Sequence, residues 1–254
     1  MYSGENMKVY FVGSGPGDPE LITLKAKRIL EKADVVVYTS SLVDDRILSF
    51  IRPEADVYTS APLTFREIVE LLRREAEKGR VVVRLHSGDA SIYGAMGEQI
   101  AELEKHSIEC EVVPGVSSFL AAAALLKKEY TVPGVSQTVI ISRISGRTDV
   151  PERERLSLLA EHGASMVIFL SIAKIDEVIN ELRHGYNIDT PVAVVYRATR
   201  EGEEVILGNL GDIGEKAREK GIKKTALILV GNFLRETENS KLYSENFSHS
   251  YRKL

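Results

Sequence analysis

Four short segments of this chain carry residue types and spacings that could do chemistry. GSGPGDP, Gly13 to Pro19, follows an apolar run directly, and glycines at such a turn let backbone pass close to a ligand. HSGDASIYGAMGEQ, His86 to Gln99, follows another apolar run. There Gly88 permits close approach, and Asp89 can accept hydrogen bonds from a ribose hydroxyl or an ammonium group. Asp89 could equally cap a helix beginning near Ser91. In VVPGVSSFLAAAA, Val112 to Ala124, Ser117 and Ser118 fall at a helix's first turn, where N–H donors collect. Capping by serine accounts for them as well. In SRISGRTDVPERE, Ser142 to Glu154, Arg143 and Arg147 flank a glycine.

The basic residues share a location. Arg143 and Arg147, then Lys174, then Arg197 with Arg200, lie just past predicted strands, and Arg84 adds one from the first half. Guanidinium forks match carboxylates bidentately, so an anion-binding cleft competes with ordinary surface charge. His86 has no second histidine at ligand spacing, so a hydrogen-bonded edge histidine is expected there and no metal site.

The first turn does not fit a dinucleotide. That fingerprint reads G-x-G-x-x-G, and here the sixth position is Asp18. A carboxylate beside a pyrophosphate is repelled, whereas an aspartate capping the next helix needs no further explanation. The acidic residue expected after the second strand is also missing, since that strand runs VVVYTSSLV, and Asp34 opens it at the wrong end. A nicotinamide-dependent oxidoreductase is therefore the weaker of the catalytic alternatives.

The elements that must hold these segments alternate. KVYFVG, DVVVY, RVVVRLH and IECEVV read as buried strands, and the stretches between them have apolar residues at helical spacing, as in LITLKAKRILEKA (Leu21, Leu24, Ile29, Leu30) and FREIVELLRREAEKG. Valine-rich strands alternating with helices imply a parallel sheet covered on both faces. SSFLAAAALLKK ends this first lobe. The pattern restarts with QTVIIS, a helix from Pro151 to His162, SMVIFL, AKIDEVINELRHG, PVAVVY, EVILG, a helix from Leu210 to Gly221, and ALILVG. The expected architecture is α/β with two α/β domains, 7–127 and 135–233, mainly parallel in the first and mixed in the second. A polar tail, 234–254, carries Tyr243, Phe247 and Tyr251; disorder and docking on the body or a second subunit are both open for it.

Composition bounds the function. The chain has 254 residues, enough for a sizeable core, and 33 basic against 37 acidic residues, a net charge of -4. That balance argues against a dedicated nucleic-acid binder. Cys110 is the only cysteine, so no internal disulfide or cysteine-based zinc site is possible, and a buried thiol is expected. No apolar run approaches the ~20 residues of a membrane helix, and the start MYSGENMKVY lacks signal-peptide order. A soluble cytoplasmic protein is expected.

With these segments in view, the chain resembles the tetrapyrrole (corrin and porphyrin) methylases. The shared signatures are VGSGPGDPELITLKA, the ADVVVY strand with YTSSLV, and GD-x-x-x-YG. LHSGDASIYGAMGEQ, PGVSSFLAAAALLKKEYTVPGVSQTVIISR, GRTDVPE and SKLYSENFSHSYRK resemble the branch that methylates C11 of (cobalt-)precorrin-4 in cobalamin synthesis. The resemblance runs from about Met7 to the C-terminus. It implies two α/β domains with S-adenosylmethionine in the cleft between them, and a homodimer. It implies cofactor contacts at Pro16, Ser87, Gly88, Asp89, Ile92, Ser117 and Ser118, and near Leu170, Ala198 and Ala226. Because the sulfonium already activates the methyl group, no protein-bound metal is required. Arg84, His86, Arg143, Arg147, Lys174 and Arg197 are the candidates to grip the acetate and propionate arms of an anionic tetrapyrrole. Relatives that methylate uroporphyrinogen have an acidic residue just after the second strand. Here Thr39, Ser40 and Ser41 stand there, and no general base identifies itself. The alternatives are a sister methylase acting at another ring carbon, diphthine synthase, the nicotinamide enzyme, and a non-catalytic module that retains the cofactor pocket.

Overall fold

The computed structural model describes residues 7–235, which divide into two compact units between Ala121 and Ala122. The division falls within a helix, well before the punctuation at Pro133 and Gly134. The tail expectation lies outside the described residues.

The first unit runs β1 (Lys8–Gly13), α1 (Leu24–Leu30), β2 (Val35–Tyr38), α2 (Asp45–Leu48), β3 (Asp56–Thr59), α3 (Phe65–Ala76), β4 (Val82–His86), α4 (Met96–Glu104), β5 (Glu109–Val113) and the start of α5 (Ser118–Leu126). The five strands form one parallel sheet in the order β3-β2-β4-β1-β5. Successive connections step one way from β1 to β3 and then back, so the order reverses between β1 and β4. Open α/β sheets bind ligands at such a switch point, beyond the carboxyl ends of the strands.

Side-chain alternation explains the two layers. Val9, Phe11, Val35, Val37 and Val82 face one way and pack with Leu72, Ala76 and Leu103 of α3 and α4. Val12, Val36, Val83 and Leu85 face the other way, against Ala26, Leu30 and Ile47 of α1 and α2. Burying each such Val, Leu or Ile side chain contributes roughly 1.5–3 kcal/mol.

α3 starts where Thr64 and Glu67 form a reciprocal capping box. Its last turn holds Glu75, a buried carboxylate in contact with Lys78, Arg74 and Arg80. The hydrogen bond from Lys78 leads the pairings that hold it at about 2 against the opposing effect of burial.

Two details depart from the sequence expectation. α1 begins only at Leu24, after the Thr23 cap, so Ala26 and Leu30 make its buried stripe and Leu24 is 71% exposed. The pair α2 and β3 is additional. β3 reads DVYT and is mostly exposed at the sheet edge, so it lacks the valine run that marks the inner strands.

The second unit contains β6 (Val139–Ser142), α6 (Leu156–Ala160), β7 (Ser165–Ile168), α7 (Ile175–Leu182), β8 (Pro191–Tyr196), β9 (Glu204–Asn209), α8 (Ile213–Glu219) and β10 (Ala226–Val230). The sheet order is β6-β7-β10-β8-β9, parallel only between β6 and β7 and antiparallel elsewhere. A mixed sheet was the expectation. Its core joins Met166, Ile168, Val194 and Ile228 to Leu156, Val178, Leu182, Ile213 and Ala217 of α6, α7 and α8. The helix expected from Pro151 to His162 is split. Arg155 is extended (φ -58, ψ 141) between a short 3-10 turn and α6, and its guanidinium bridges Glu152 at 2.9 Å and Glu181 of α7 at 3.7 Å.

One packing constraint sets the carboxyl edge of the first sheet. A Cβ placed on Gly115 would lie 2.1 Å from the Gly88 carbonyl oxygen, and one on Gly13 would lie 2.6 Å from it and 2.7 Å from the Gly115 nitrogen. Three backbones therefore meet where no side chain fits. Gly115→Ala should lower stability by about 3 kcal/mol or more, as overpacked rigid sites do. Gly97→Ala, in α4 with nothing within 4 Å of the new methyl, should raise it by up to ~1 kcal/mol. Denaturant unfolding of the two variants checks the contrast.

Candidate functional site

The glycine contact ties two of the candidate segments together at the switch point. Ser14 N donates to the His86 carbonyl at 2.7 Å, Gly15 N to the Gly88 carbonyl at 3.1 Å, and Gly88 N to the Gly15 carbonyl at 2.8 Å. The turn after β1 and the turn after β4 thus form a small antiparallel bridge. Gly88 sits at φ +61, a conformation that side chains rarely tolerate. Pro16 is buried inside the first turn. Asp18 caps the 3-10 turn at Pro19–Leu21, its Oδ1 accepting from Glu20 N at 2.9 Å. That position explains the aspartate without a phosphate.

Asp89 joins a third segment. Its Oδ1 accepts from Ser91 N at 2.8 Å and from the Ser91 hydroxyl, and its Oδ2 accepts from Gly115 N at 2.8 Å. No regular helix follows at Ser91; a turn does, and α4 starts only after Ala95, which is left-handed (φ 48). So Asp89 is a clasp between the β4 and β5 turns. Burial works against its charge, but the bonds from Ser91 and Gly115 outweigh it and hold the carboxyl below its usual range. Oδ2, which accepts one bond here, retains acceptor capacity for a further donor. Just beyond, the buried Ser117 gives its carbonyl to Leu120 N at 3.0 Å, and Ser118 opens α5, half-buried. Ser87 is exposed and Ile92 half-buried.

Arg84 and His86 share the Val82 face of β4, alternating with Val83 and Leu85, and are both buried, at 6% and 8% exposure. Arg84 Nη1 donates to the Val37 carbonyl at 3.1 Å and Nε to Gln99 Oε1 at 3.3 Å. Among the described residues no carboxylate pairs with it. Burial lowers its pKa to about 10, which leaves it charged at neutral pH. His86 stacks on Phe11 with ring centres 6.0 Å apart, and its Nε2 is buried without a hydrogen-bond partner among the described residues. A cavity of about 100 Å³ opens beside the two, lined also by Thr39, Leu42, Ser87, Ile92 and Tyr93. The expectation of a hydrogen-bonded edge histidine is therefore corrected: the ring goes under the sheet edge, and Phe11 rather than a polar partner holds it.

In the second unit Leu170, Arg197, Ala198 and Ala226 collect at one sheet edge. β10 runs against β7 and β8, so its first residue, Ala226, pairs with Tyr196, the last of β8. Arg197 N donates to the Thr225 carbonyl at 3.0 Å. Leu170 (φ 55) and Arg197 (φ 51) are both left-handed, and Leu170 is 70% exposed. A strained, solvent-facing leucine just past a strand is the kind of outlier that collects at functional sites. The other basic candidates differ among themselves. Arg143 staples its own loop, with Nη1 on the Thr148 carbonyl and Nη2 on Thr148 Oγ1 and the Asp149 carbonyl, each at 2.9 Å. Lys174 contacts the Ser145 carbonyl at 3.0 Å and Glu177 at 3.2 Å. Arg147 is exposed on that loop.

Sequence reasoning passed over Gln99, Leu42 and Tyr93. Gln99 carried a signal: it is a polar residue on the buried side of α4, in line with Leu103. Leu42 and Tyr93 stand inside the quoted signatures YTSSLV and GD-x-x-x-YG, but nothing local marks either as lining a cavity. Cys110 is half-buried on β5, and burial, with Glu104 and Glu109, pushes its thiol up to about 11, which keeps it protonated at neutral pH. Among the described residues no helix is long and apolar enough to cross a membrane, and no group of three His, Cys, Asp or Glu is placed to hold a metal.

His86 makes stability depend on pH. Burial first, then the neighbouring Arg84 charge, lower its pKa from 6.5 to about 4, against a smaller opposing pull from Asp89. The unfolded chain then takes up this proton before the folded one. The His86 contribution is complete above about pH 6.5 and is lost as pH falls toward about 4, on the order of 3 kcal/mol in all. His86→Gln should flatten that part of the stability–pH curve, measured by thermal melting between those limits.

The model of the tetrapyrrole (corrin/porphyrin) methylases matches residues 8–214. The cobalt-precorrin-4 C(11)-methyltransferase of Methanocaldococcus jannaschii is 52% identical over 251 residues, covering 98% of this chain and 97% of that protein. The X-ray structure of a cobalamin biosynthetic enzyme, cobalt precorrin-4 methyltransferase, matches with a TM-score of 0.89 at 41% identity, over 93% of this chain and 99% of that one. Uroporphyrin-III C-methyl transferase from Thermus thermophilus, complexed with S-adenyl homocysteine, matches with a TM-score of 0.75 at 33% identity, over 90% and 93%. A parallel sheet clasped at its switch point by Gly13, Gly88 and Gly115, matched over almost its whole length by such relatives, makes the chain a member of the tetrapyrrole methylase family.

Proposed function

We propose that this protein transfers a methyl group from S-adenosylmethionine to C11 of cobalt-precorrin-4. The reading carries with it a cytoplasmic homodimer and an anionic tetrapyrrole as the partner. What supports it most is the clasp at Asp89, in a chain 52% identical to an enzyme of that name.

The residues at the first sheet edge fit such a methyl donor. An ionised Asp89 with remaining acceptor capacity suits a ribose hydroxyl or an ammonium group. Gly88, lacking a Cβ, leaves room over the edge, and Ser87 is exposed beside it. Pro16, Ile92, Ser117 and Ser118 complete the assignment in the first unit, and Leu170, Ala198 and Ala226 are assigned to the donor from the second. When bound, the donor supplies a methyl group already activated on a sulfonium. The chain's part is then orientation, which can lower a barrier by ~7–11 kcal/mol when the reacting atoms are aligned. The rigid bridge between Gly15 and Gly88 serves that end, because it fixes the contact residues on backbone. Thr39, Ser40 and Ser41 occupy the region just after β2 where some uroporphyrinogen methylases carry an acid, which favours the corrin substrate over that relative's.

Two measurements test the reading. Incubation with S-adenosylmethionine and cobalt-precorrin-4 should give one added methyl by mass and a new carbon signal at C11 by NMR; methylation at any other carbon overturns the assignment. Asp89→Asn leaves an amide facing the Gly115 and Ser91 donors and removes the charge. It should weaken S-adenosylmethionine by roughly tenfold or more in calorimetry, the scale of a lost charge-assisted hydrogen bond. Unchanged affinity would make Asp89 a clasp and nothing else.

A further inference from the structure

We infer that Arg84 and His86 form the floor of a recess that takes one carboxylate side arm of the tetrapyrrole, while Leu42 and Tyr93 at its rim receive the apolar ring.

A buried guanidinium is costly unless its charge is matched. Arg84 is held by two neutral acceptors, the Val37 carbonyl and Gln99 Oε1, and by no carboxylate among the described residues. Those two bonds fix Nη1 and Nε and aim the fork without neutralising it. His86 lies two residues along the same strand, on the same face of the sheet, with a buried and unpartnered Nε2. A neutral imidazole with its proton on Nε2 has a donor to give there. A buried guanidinium without a counter-charge and an unpartnered imidazole nitrogen beside one cavity describe an anion site more economically than two separate defects.

Size and rim narrow the anion. The cavity of about 100 Å³ exceeds the ~10–15 Å³ that a single water requires, so it has room for a carboxylate. At the mouth Leu42 is 47% exposed and Tyr93 45% exposed, the latter in a left-handed backbone conformation (φ 54). A free inorganic anion has no use for that apolar rim. A carboxylate carried on a flat apolar ring uses both floor and rim. Of the other basic candidates, Arg143 is committed to its own loop and Lys174 contacts Glu177.

This inference rests on the tetrapyrrole reading, and its test separates the two. The probe is uroporphyrin III, a non-reacting octacarboxylate, with its octamethyl ester as control, both followed by fluorescence on binding. Arg84→Gln and His86→Phe should each weaken the octacarboxylate by about tenfold or more, with S-adenosylhomocysteine affinity by calorimetry within twofold of the parent. The ester should bind parent and variants alike. Arg84→Lys, which keeps the charge, should recover part of the loss and stands in if Arg84→Gln does not fold. Equal octacarboxylate affinity in parent and variants overturns the inference, as does equal weakening of the ester or failure of the parent to bind the octacarboxylate. If the parent does not methylate cobalt-precorrin-4 while the Arg84 variants still lose only the octacarboxylate, the C11 reading fails and the recess stands.

Discussion

The contact among Gly13, Gly88 and Gly115 is the constraint on which the rest of the first unit depends. Three strand ends approach so closely that no Cβ fits between them. Their convergence brings the turns after β1, β4 and β5 into one place at the switch point of the sheet. From there the hydrogen bonds follow: Gly15 with Gly88 across the bridge, and Asp89 with Gly115 across the next gap. Backbone contact of this kind leaves few soft degrees of freedom. An aspartate placed on it is aimed by main-chain geometry rather than by a rotamer, which is what an orienting enzyme requires.

The same contact changes what the glycines mean. Read along the chain, Gly13 and Gly88 look like openings for a ligand. In the fold Gly13, with Gly115, admits the Gly88 carbonyl, and Gly88 supplies the left-handed turn that aims it. Residues 13, 88 and 115 belong to separate segments, and no local pattern reveals that their backbones meet. The inner strands were legible because valine runs such as VVVY and VVVRLH have one physical explanation, burial on both faces. β3 was not legible, because an edge strand of sequence DVYT buries little. Leu24 misled for a related reason: periodicity shows that an apolar stripe exists, but the Thr23 cap decides which residues it contains.

Charge was legible as location and not as role. Arg143 and Arg197 do follow strands, while Arg84 lies within one, and their surroundings sort them. Arg143 closes its own loop through carbonyls of Thr148 and Asp149. Arg84 lies in an apolar run that reads as ordinary strand, and only the fold shows that the run carries a buried guanidinium with no carboxylate paired to it among the described residues. In the second unit, β10 runs antiparallel to β8, which sets Ala226 beside Tyr196 and so near Ala198. That antiparallel step, invisible in a local apolar run such as ALILV, is why residues from distant segments share an edge.

Arg84 and His86 also set a tension within the first unit. A core of Phe11, Val9 and Val37 would be more stable with an apolar residue at position 84, since matched hydrophobic replacements of buried charge are often neutral or stabilising. His86 adds a second unsatisfied group, with its imidazole held neutral by burial and by the arginine beside it. Stability alone favours neither residue. His86 lies two residues and Arg84 four residues before Gly88, on the strand whose end the glycine contact makes rigid, so the unit can carry them without losing that edge. A fold that keeps unmatched donors where its backbone is stiffest has given up stability at the place where a ligand can return it.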